Sequence, residues 1–247
     1  NQGWLCDKGR YNFEYLNSEK RLKTPLKSID NNFVEAEIQD VYSELSEIIK
    51  DRKTKINFLL GSNLTNEDYV AFKEFSKSIS DSEQSFYIND DLLYQGYFGQ
   101  DNELAKIDDL NSSDSIVVWA EDLKEKIPVL YLRVRQAVKK GVKLIVFGHS
   151  NETLSDIADV FYGKEIVSEN FEIVKDISKL KEIKNYVIGK NVTTIIGKST
   201  PQQSDDSVTD LLEFLKANAN TKILNAYTKG NTYGALQTLE NVKGTRD

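Results

Sequence analysis

Asp114–Gly148 reads "DSIVVWAEDLKEKIPVLYLRVRQAVKKGVKLIVFG". It opens and closes on short apolar runs, "SIVVW" and "KLIVF", that do not alternate with polar residues. Such runs fit strands buried on both faces, hence a mostly parallel sheet covered by helices. Between them lies a helix. Pro128 suits its first turn, Leu130, Val134, Ala137 and Val138 form its stripe, and Gly141 closes it after two lysines. A strand, a crossover helix and a parallel strand make the βαβ unit of α/β proteins.

The same alternation continues on either side. "KINFLLG" (Lys55–Gly61) is a strand, and "TNEDYVAFKEFSKSIS" a helix with Tyr69, Phe72, Phe75 and Ile79 on one face. Thr65 caps it, with Asn66, Glu67 and Asp68 in the first turn. Further along, "NETLSDIADVF" reads as a short helix, "VTTIIGKS" as a strand, "DDSVTDLLEFLKANA" as a helix and "TKILNAY" as a strand. The expected fold is α/β, a doubly wound, mostly parallel sheet with a small N-terminal extension. "INFLL", "SIVVW", "KLIVF", "TTIIG" and "KILNA" are its predicted strands. Residues 1–54 form a separate segment, and 55–247 the α/β domain. The first segment holds short apolar pieces and then "FVEAEIQDVYSELSEIIKD", a helix with Val41, Leu45, Ile48 and Ile49 on one face.

Composition narrows the function. With 39 acidic and 32 basic residues the formal charge is −7, which argues against nonspecific nucleic-acid binding. No apolar run approaches the roughly 20 residues that span a bilayer, and "NQGWLCDKGR" has no signal-peptide core. One cysteine in 247 residues excludes a disulfide framework and suits a reducing compartment. A chain without methionine that begins with Asn reads as an excerpt of a longer one.

Familiar motifs are incomplete. "LLGSNLTNED" has one glycine where a dinucleotide fingerprint needs three. "IIGKST" resembles the end of a P-loop, but the required earlier glycine is Val192, and Pro201 follows too soon. His149, the single histidine, follows a strand end with no second ligand nearby. Asp108/Asp109 and Asp205/Asp206 read as surface or capping pairs. No catalytic constellation emerges. Cys6, the lone thiol, reads either as a small buried hydrophobe or as a metal ligand.

"GWLCDKGRYNFEYLNSEKRLKTPL" resembles the molybdopterin oxidoreductase family, and within it the large iron–sulfur subunits of NADH:quinone oxidoreductase, complex I. The shared positions are Cys6, Lys8, Gly9, Arg10, Tyr11, Asn17, Arg21, Leu22, Pro25 and Leu26. "GSNLTNEDYVAFKEFSKSI", the βαβ stretch above and "NAYTKGNTYGALQ" extend the resemblance along nearly the whole chain.

The resemblance implies that Cys6 is the fourth ligand of a four-iron cluster whose other three ligands lie upstream. Lys8 then stands near that cluster. A cluster needs four ligands, so this stretch alone is expected to hold neither an iron–sulfur cluster nor molybdopterin.

Three departures speak against pterin. "DDLLYQGYFGQDNELAK" lacks the Cys or Ser that would bind molybdenum. Ala120 replaces a family glycine in "WAEDLKEK", with Glu121 and Asp122 after it. Gly148–Ser150 lack the phosphate-binding arginine. What the resemblance implies is a scaffold piece without its own active site. Its parent would pass electrons from NADH through clusters to quinone, coupled to proton translocation. Its partners would be other subunits of the hydrophilic arm, peripheral on the cytoplasmic side of the inner membrane. The alternatives are a piece of a molybdenum or tungsten formate dehydrogenase-like catalytic subunit, and a free-standing α/β small-molecule binding module.

Overall fold

The computed structural model describes residues 3–50, 58–79, 86–88, 104–119, 122–147, 152–162, 181–197, 205–239 and 242–244. The first stretch holds a short helix α1 (Asp7–Tyr11), a hairpin of β1 (Leu26–Ile29) and β2 (Asn32–Glu35), and helix α2 (Ile38–Lys50). Asp30 and Asn31 turn the hairpin with φ of 49° and 63°. These left-handed values suit a two-residue hairpin loop, and Asn and Asp tolerate them best after Gly. The sequence reading extends the following helix back over Phe33–Glu35. The turn puts these residues in a strand instead, and α2 begins only at Ile38.

β3 (Phe58–Leu60), helix α3 (Asn66–Ile79) and β4 (Phe86–Ile88) come next. With β10 (Val242–Gly244) they build a three-stranded parallel sheet in the order β10-β4-β3. Phe58, Leu60, Tyr69 and Phe86 are buried there with Ala235 and Leu239. At the head of α3, Thr65 and Asp68 cap reciprocally. The Thr65 Oγ1 accepts from Asp68 N at 3.2 Å, and the Asp68 carboxylate accepts from Thr65 N at 3.0 Å.

The larger sheet is five-stranded and parallel throughout: β5 (Ser115–Trp119), β6 (Lys143–Phe147), β7 (Val160–Tyr162), β8 (Asn191–Ile196) and β9 (Asn220–Asn225). Its order is β7-β6-β5-β8-β9. The chain lays β6 and β7 on one side of β5, then crosses to lay β8 and β9 on the other. That reversal is the doubly wound pattern, with its switch point between β5 and β8.

Every residue of β5 is buried, because each face has its own cover. Ile116 and Val118 enter a core with Leu130, Val134 and Ala137 of α5 (Pro128–Lys139). Val117 and Trp119 enter the opposite core with Ile183 and Val187 of α7 (Lys181–Val187) and Leu211, Leu212 and Leu215 of α8 (Asp205–Asn218). Alternate strand residues point to opposite faces. An unbroken apolar run is therefore what a two-sided sheet requires. Gly141 closes α5 at φ +100°, with its N–H on Val138 O (2.9 Å) and the Val142 N–H on Ala137 O (3.2 Å).

Two strand assignments need correction. "INFLL" is not in the same sheet as the other four predicted strands. Its described part is β3 of the smaller sheet. The "DVF" of "NETLSDIADVF" is not helical. Helix α6 (Glu152–Ser155) stops short of it, and Val160 begins β7, which pairs with Ile145. A three-residue edge strand carries too little pattern to stand out from the helix before it. Among the described residues, no helix is long and apolar enough to cross a membrane.

Candidate functional site

Cys6 is the N-cap of α1, where its sulfur accepts the Gly9 N–H at 3.4 Å. Arg10 N closes the turn on Cys6 O at 3.0 Å. The thiol is half-buried, and Lys8 is exposed on the same turn. A backbone N–H on sulfur is the kind of contact that tunes a cluster thiolate. One thiolate fits one corner of a cluster, not the whole. No group of three or more His, Cys, Asp or Glu that could hold a metal exists among the described residues. No step through a metal centre can be derived from this chain alone.

The C-terminal edge of the five-stranded sheet is where ligands sit in this architecture. At the switch point Trp119 O accepts the Gly197 N–H at 2.7 Å, tying the exit of β8 to the exit of β5. Trp119, Phe147 and Tyr162 end three adjacent strands in register and stack side by side. Their centroids are 5.5 and 5.0 Å apart. Ala120, Glu121 and Gly148–Ser150, where the sequence departs from the pterin pattern, lie outside the described residues.

Asp122 is described, and its carboxylate is engaged. It caps α4 (Leu123–Lys126), accepting from Lys124 N at 2.8 Å and Glu125 N at 3.4 Å, and Thr153 Oγ1 donates to it at 3.3 Å. The sequence reading counts this charge against a pterin. The fold spends it on a helix terminus, whose free N–H groups attract a carboxylate. Sequence order also pairs the exits of β5 and β6, whereas the switch point pairs β5 with β8. Gly197, at the exit of β8, is thus a neighbour of the β5 exit that only the strand order reveals.

A second constellation joins the loop after β3 to the start of α9 (Thr232–Thr238). Asn63 Oδ1 accepts from Gly230 N at 2.8 Å, and Asn231 N donates to Ser62 O at 2.8 Å. Asn231 Nδ2 reaches Leu64 O at 2.8 Å and Asn66 Oδ1 at 3.0 Å. A Cβ added to Gly234 would land on Asn66 Oδ1 and on the Asn231 amide, so only glycine leaves room for the clasp. Beneath it, Tyr69 donates to Gly61 O at 2.9 Å, and burial holds its phenol above the usual range.

Elsewhere, Asp109 is held below the usual carboxylate range by the Lys106 N–H (2.7 Å) and by the Lys222 ammonium (3.0 Å). That pair ties the turn before β5 to β9 and is structural.

A family model described as molybdopterin oxidoreductase matches residues 21–238. F420-dependent formate dehydrogenase subunit alpha of Methanocaldococcus jannaschii is 26% identical over 217 residues, 82% of this chain and 32% of that protein. The F420-dependent formate dehydrogenase 1 subunit alpha of Methanococcus maripaludis is 26% identical over 168 residues, 65% of this chain and 25% of that one. NADH-quinone oxidoreductase subunit 3 of Thermus thermophilus is 29% identical over 143 residues, 56% of this chain and 17% of that one. The chain thus spans a third or less of the length of these relatives. The family match covers both parallel sheets up to α9, together with the hairpin and α2, and the chain belongs to the molybdopterin oxidoreductase family.

Proposed function

We propose that the chain is part of the large iron–sulfur subunit of proton-translocating NADH:quinone oxidoreductase, where it serves as scaffold without a molybdenum site of its own. One observation carries this reading. The sequence keeps Cys6, Lys8, Gly9 and Arg10, yet reads Ala120 and Gly148-His149-Ser150 where pterin enzymes need a glycine and an arginine. A methyl group blocks close approach of backbone to phosphate, and without arginine no bidentate grip forms.

In the whole protein, Cys6 would supply one thiolate of a four-iron cluster, with Lys8 on the adjoining turn. Residues 55–247 would form the α/β body, and other subunits of the hydrophilic arm would pack around it. The assembly would sit peripherally on the cytoplasmic side of the inner membrane. The similarity to the Thermus thermophilus subunit supports this reading.

The similarity to the Methanocaldococcus jannaschii formate dehydrogenase subunit, over more of this chain, supports a second one: a molybdenum or tungsten formate dehydrogenase-like catalytic subunit. Elemental and pterin analysis of the full-length protein separates the two. The scaffold reading expects iron without molybdenum, tungsten or pterin in the full-length protein, and quinone reduction by NADH only in the assembled complex. Stoichiometric molybdenum or tungsten with pterin would replace it by the formate dehydrogenase reading.

A further inference from the structure

Arg133 is the one charged side chain buried among the described residues, at 8% exposed. It lies on α5 beside Leu130, Val134 and Ala137, which pack on the five-stranded sheet. A guanidinium held away from water needs partners. Its Nη1 donates to Gln136 Oε1 at 3.3 Å, and its Cζ lies over the ring of Trp4, 4.8 Å from the centroid. That is inside the ~6 Å range of a cation–π contact, for which Trp is the best ring. Arg135, the next arginine of α5, lies over Tyr131 of its own helix at 5.6 Å. Arg133 instead meets a ring near the start of the chain.

Trp4 stands two residues before Cys6. Two residues span at most ~7 Å, so a fixed Trp4 leaves Cys6 little freedom. The turn that carries Cys6 has no core of its own. Helix α1 buries no residue, and the Gly9 N–H on Cys6 Sγ and the Arg10 N–H on Cys6 O stay within the turn. We infer that Arg133 is a positioning residue for the Cys6 thiolate, latching the cluster-bearing turn to the α/β domain through Trp4. The inference rests on the reading of Cys6 as a cluster ligand and extends it to a residue of α5. Arg133 acts through Trp4, so its role is to hold the turn where the thiolate meets the iron. Whatever else borders the turn in the whole protein is present in the test, which uses full-length protein.

Cys6→Ala checks the ligand first and should remove the iron of one four-iron cluster. Cluster lability is then read as the rate of iron release to a ferrous chelator, in the kinetic phase that Cys6→Ala lacks. Arg133→Gln and Trp4→Leu each remove the cation–π contact. Each should speed that phase about threefold to tenfold, because the opened turn becomes that much more populated. The double variant should be little faster than either single one, the mark of one shared contact. Trp4→Phe keeps a ring over the cation and should stay near the parent's rate. The electron paramagnetic resonance signal of the same cluster should broaden in Arg133→Gln and Trp4→Leu and not in Trp4→Phe. Trp4 is 47% exposed, so its variants test the latch without disturbing the packing of α5, and their circular dichroism should match the parent's. An Arg133 that served only the fold would leave Trp4→Leu at the parent's rate, which would overturn the inference. So would additive acceleration in the double variant, or a Trp4→Phe as fast as Trp4→Leu. Iron lost from Cys6→Ala, with both single variants like the parent, refutes the latch alone. Unchanged iron in Cys6→Ala refutes the ligand reading and the latch with it.

Discussion

Residues 3–50 and the five-stranded domain are built from equally regular elements and reach opposite ends of the burial scale. None of the residues of α1, α2, β1 or β2 is buried. Fifteen of the exposed large hydrophobics lie between Trp4 and Ile48, against six in all other described residues. In the domain, every residue of β5 is buried between two cores. The N-terminal unit touches the domain through Trp4, whose ring lies 4.8 Å from the Arg133 guanidinium. A helix with caps and a hairpin with a suitable turn need only local sequence. Burial needs a second surface, and none among the described residues covers 3–50. The difference marks the five-stranded domain as the part that carries stability.

The largest test of that contrast pairs two leucines. Leu144 is fully buried in β6, and Leu45 is 48% exposed in α2. Leu144→Ala should cost about 2–5 kcal/mol in denaturant unfolding, through lost transfer energy and a cavity. Leu45→Ala should leave the midpoint within about 0.5 kcal/mol of the parent. Similar losses at the two sites would show that α2 packs against a core after all.

Next in size is Gly234→Ala. The added methyl must displace Asn66 and Asn231, breaking the clasp between the loop after β3 and α9. A loss of about 1–3 kcal/mol is expected from overpacking. Asn66→Ala in the same background should recover part of it, which a general weakening of α9 would not allow.

Asp109→Asn sharpens the comparison by its dependence on pH. The carboxylate is held below its usual range by the Lys106 N–H and then by Lys222. Its contribution is therefore present above the unfolded carboxylate range and fades as pH falls through the folded value. The variant should be less stable by about 1 kcal/mol at neutral pH, the difference between a charged and a neutral acceptor. Urea midpoints of the two proteins should converge in acid. A gap that stays constant down to acidic pH would remove the charge from the explanation.

The smallest effect belongs to the N-terminal unit. Lys27 pairs with Glu44 in the open, where solvent screens the attraction. Its ammonium is shifted above the usual range chiefly by the Glu44 hydrogen bond, so on the lysine side the pair persists at neutral pH and is lost as pH rises through the raised value. Lys27→Ala should nonetheless give an unfolding curve that superimposes on the parent's. A resolvable shift would mean that the hairpin and α2 hold each other more firmly than their exposure implies.

Much of this architecture is legible in single stretches. The unbroken runs "SIVVW" and "KLIVF", with the Pro-headed and Gly-closed helix between them, specify a βαβ unit because each cue acts within a few residues. Thr65 marks the head of α3 for the same reason. The hairpin at Asp30–Asn31 is equally local, and its signal is two residues that tolerate positive φ. It is easily missed because the flanking strands are only four residues long. β7 is shorter still, and its strand character comes from pairing with β6.

Local sequence suffices to set which segments extend and which coil, where α3 and α5 begin, where α5 ends, and that the main sheet is two-sided. These follow from steric preference, capping and the period of apolar residues, all of which act over a few positions. Long-range packing alone assigns "FLL" to a separate sheet and sets β8 rather than β6 across the switch point from β5. It also commits Asp122 to a helix terminus and fixes Gly234 as the floor of an asparagine clasp. Those outcomes depend on residues far apart in the chain meeting at one place. Asn66 and Asn231 are separated by 165 positions, and no window of sequence contains the hydrogen bond they share.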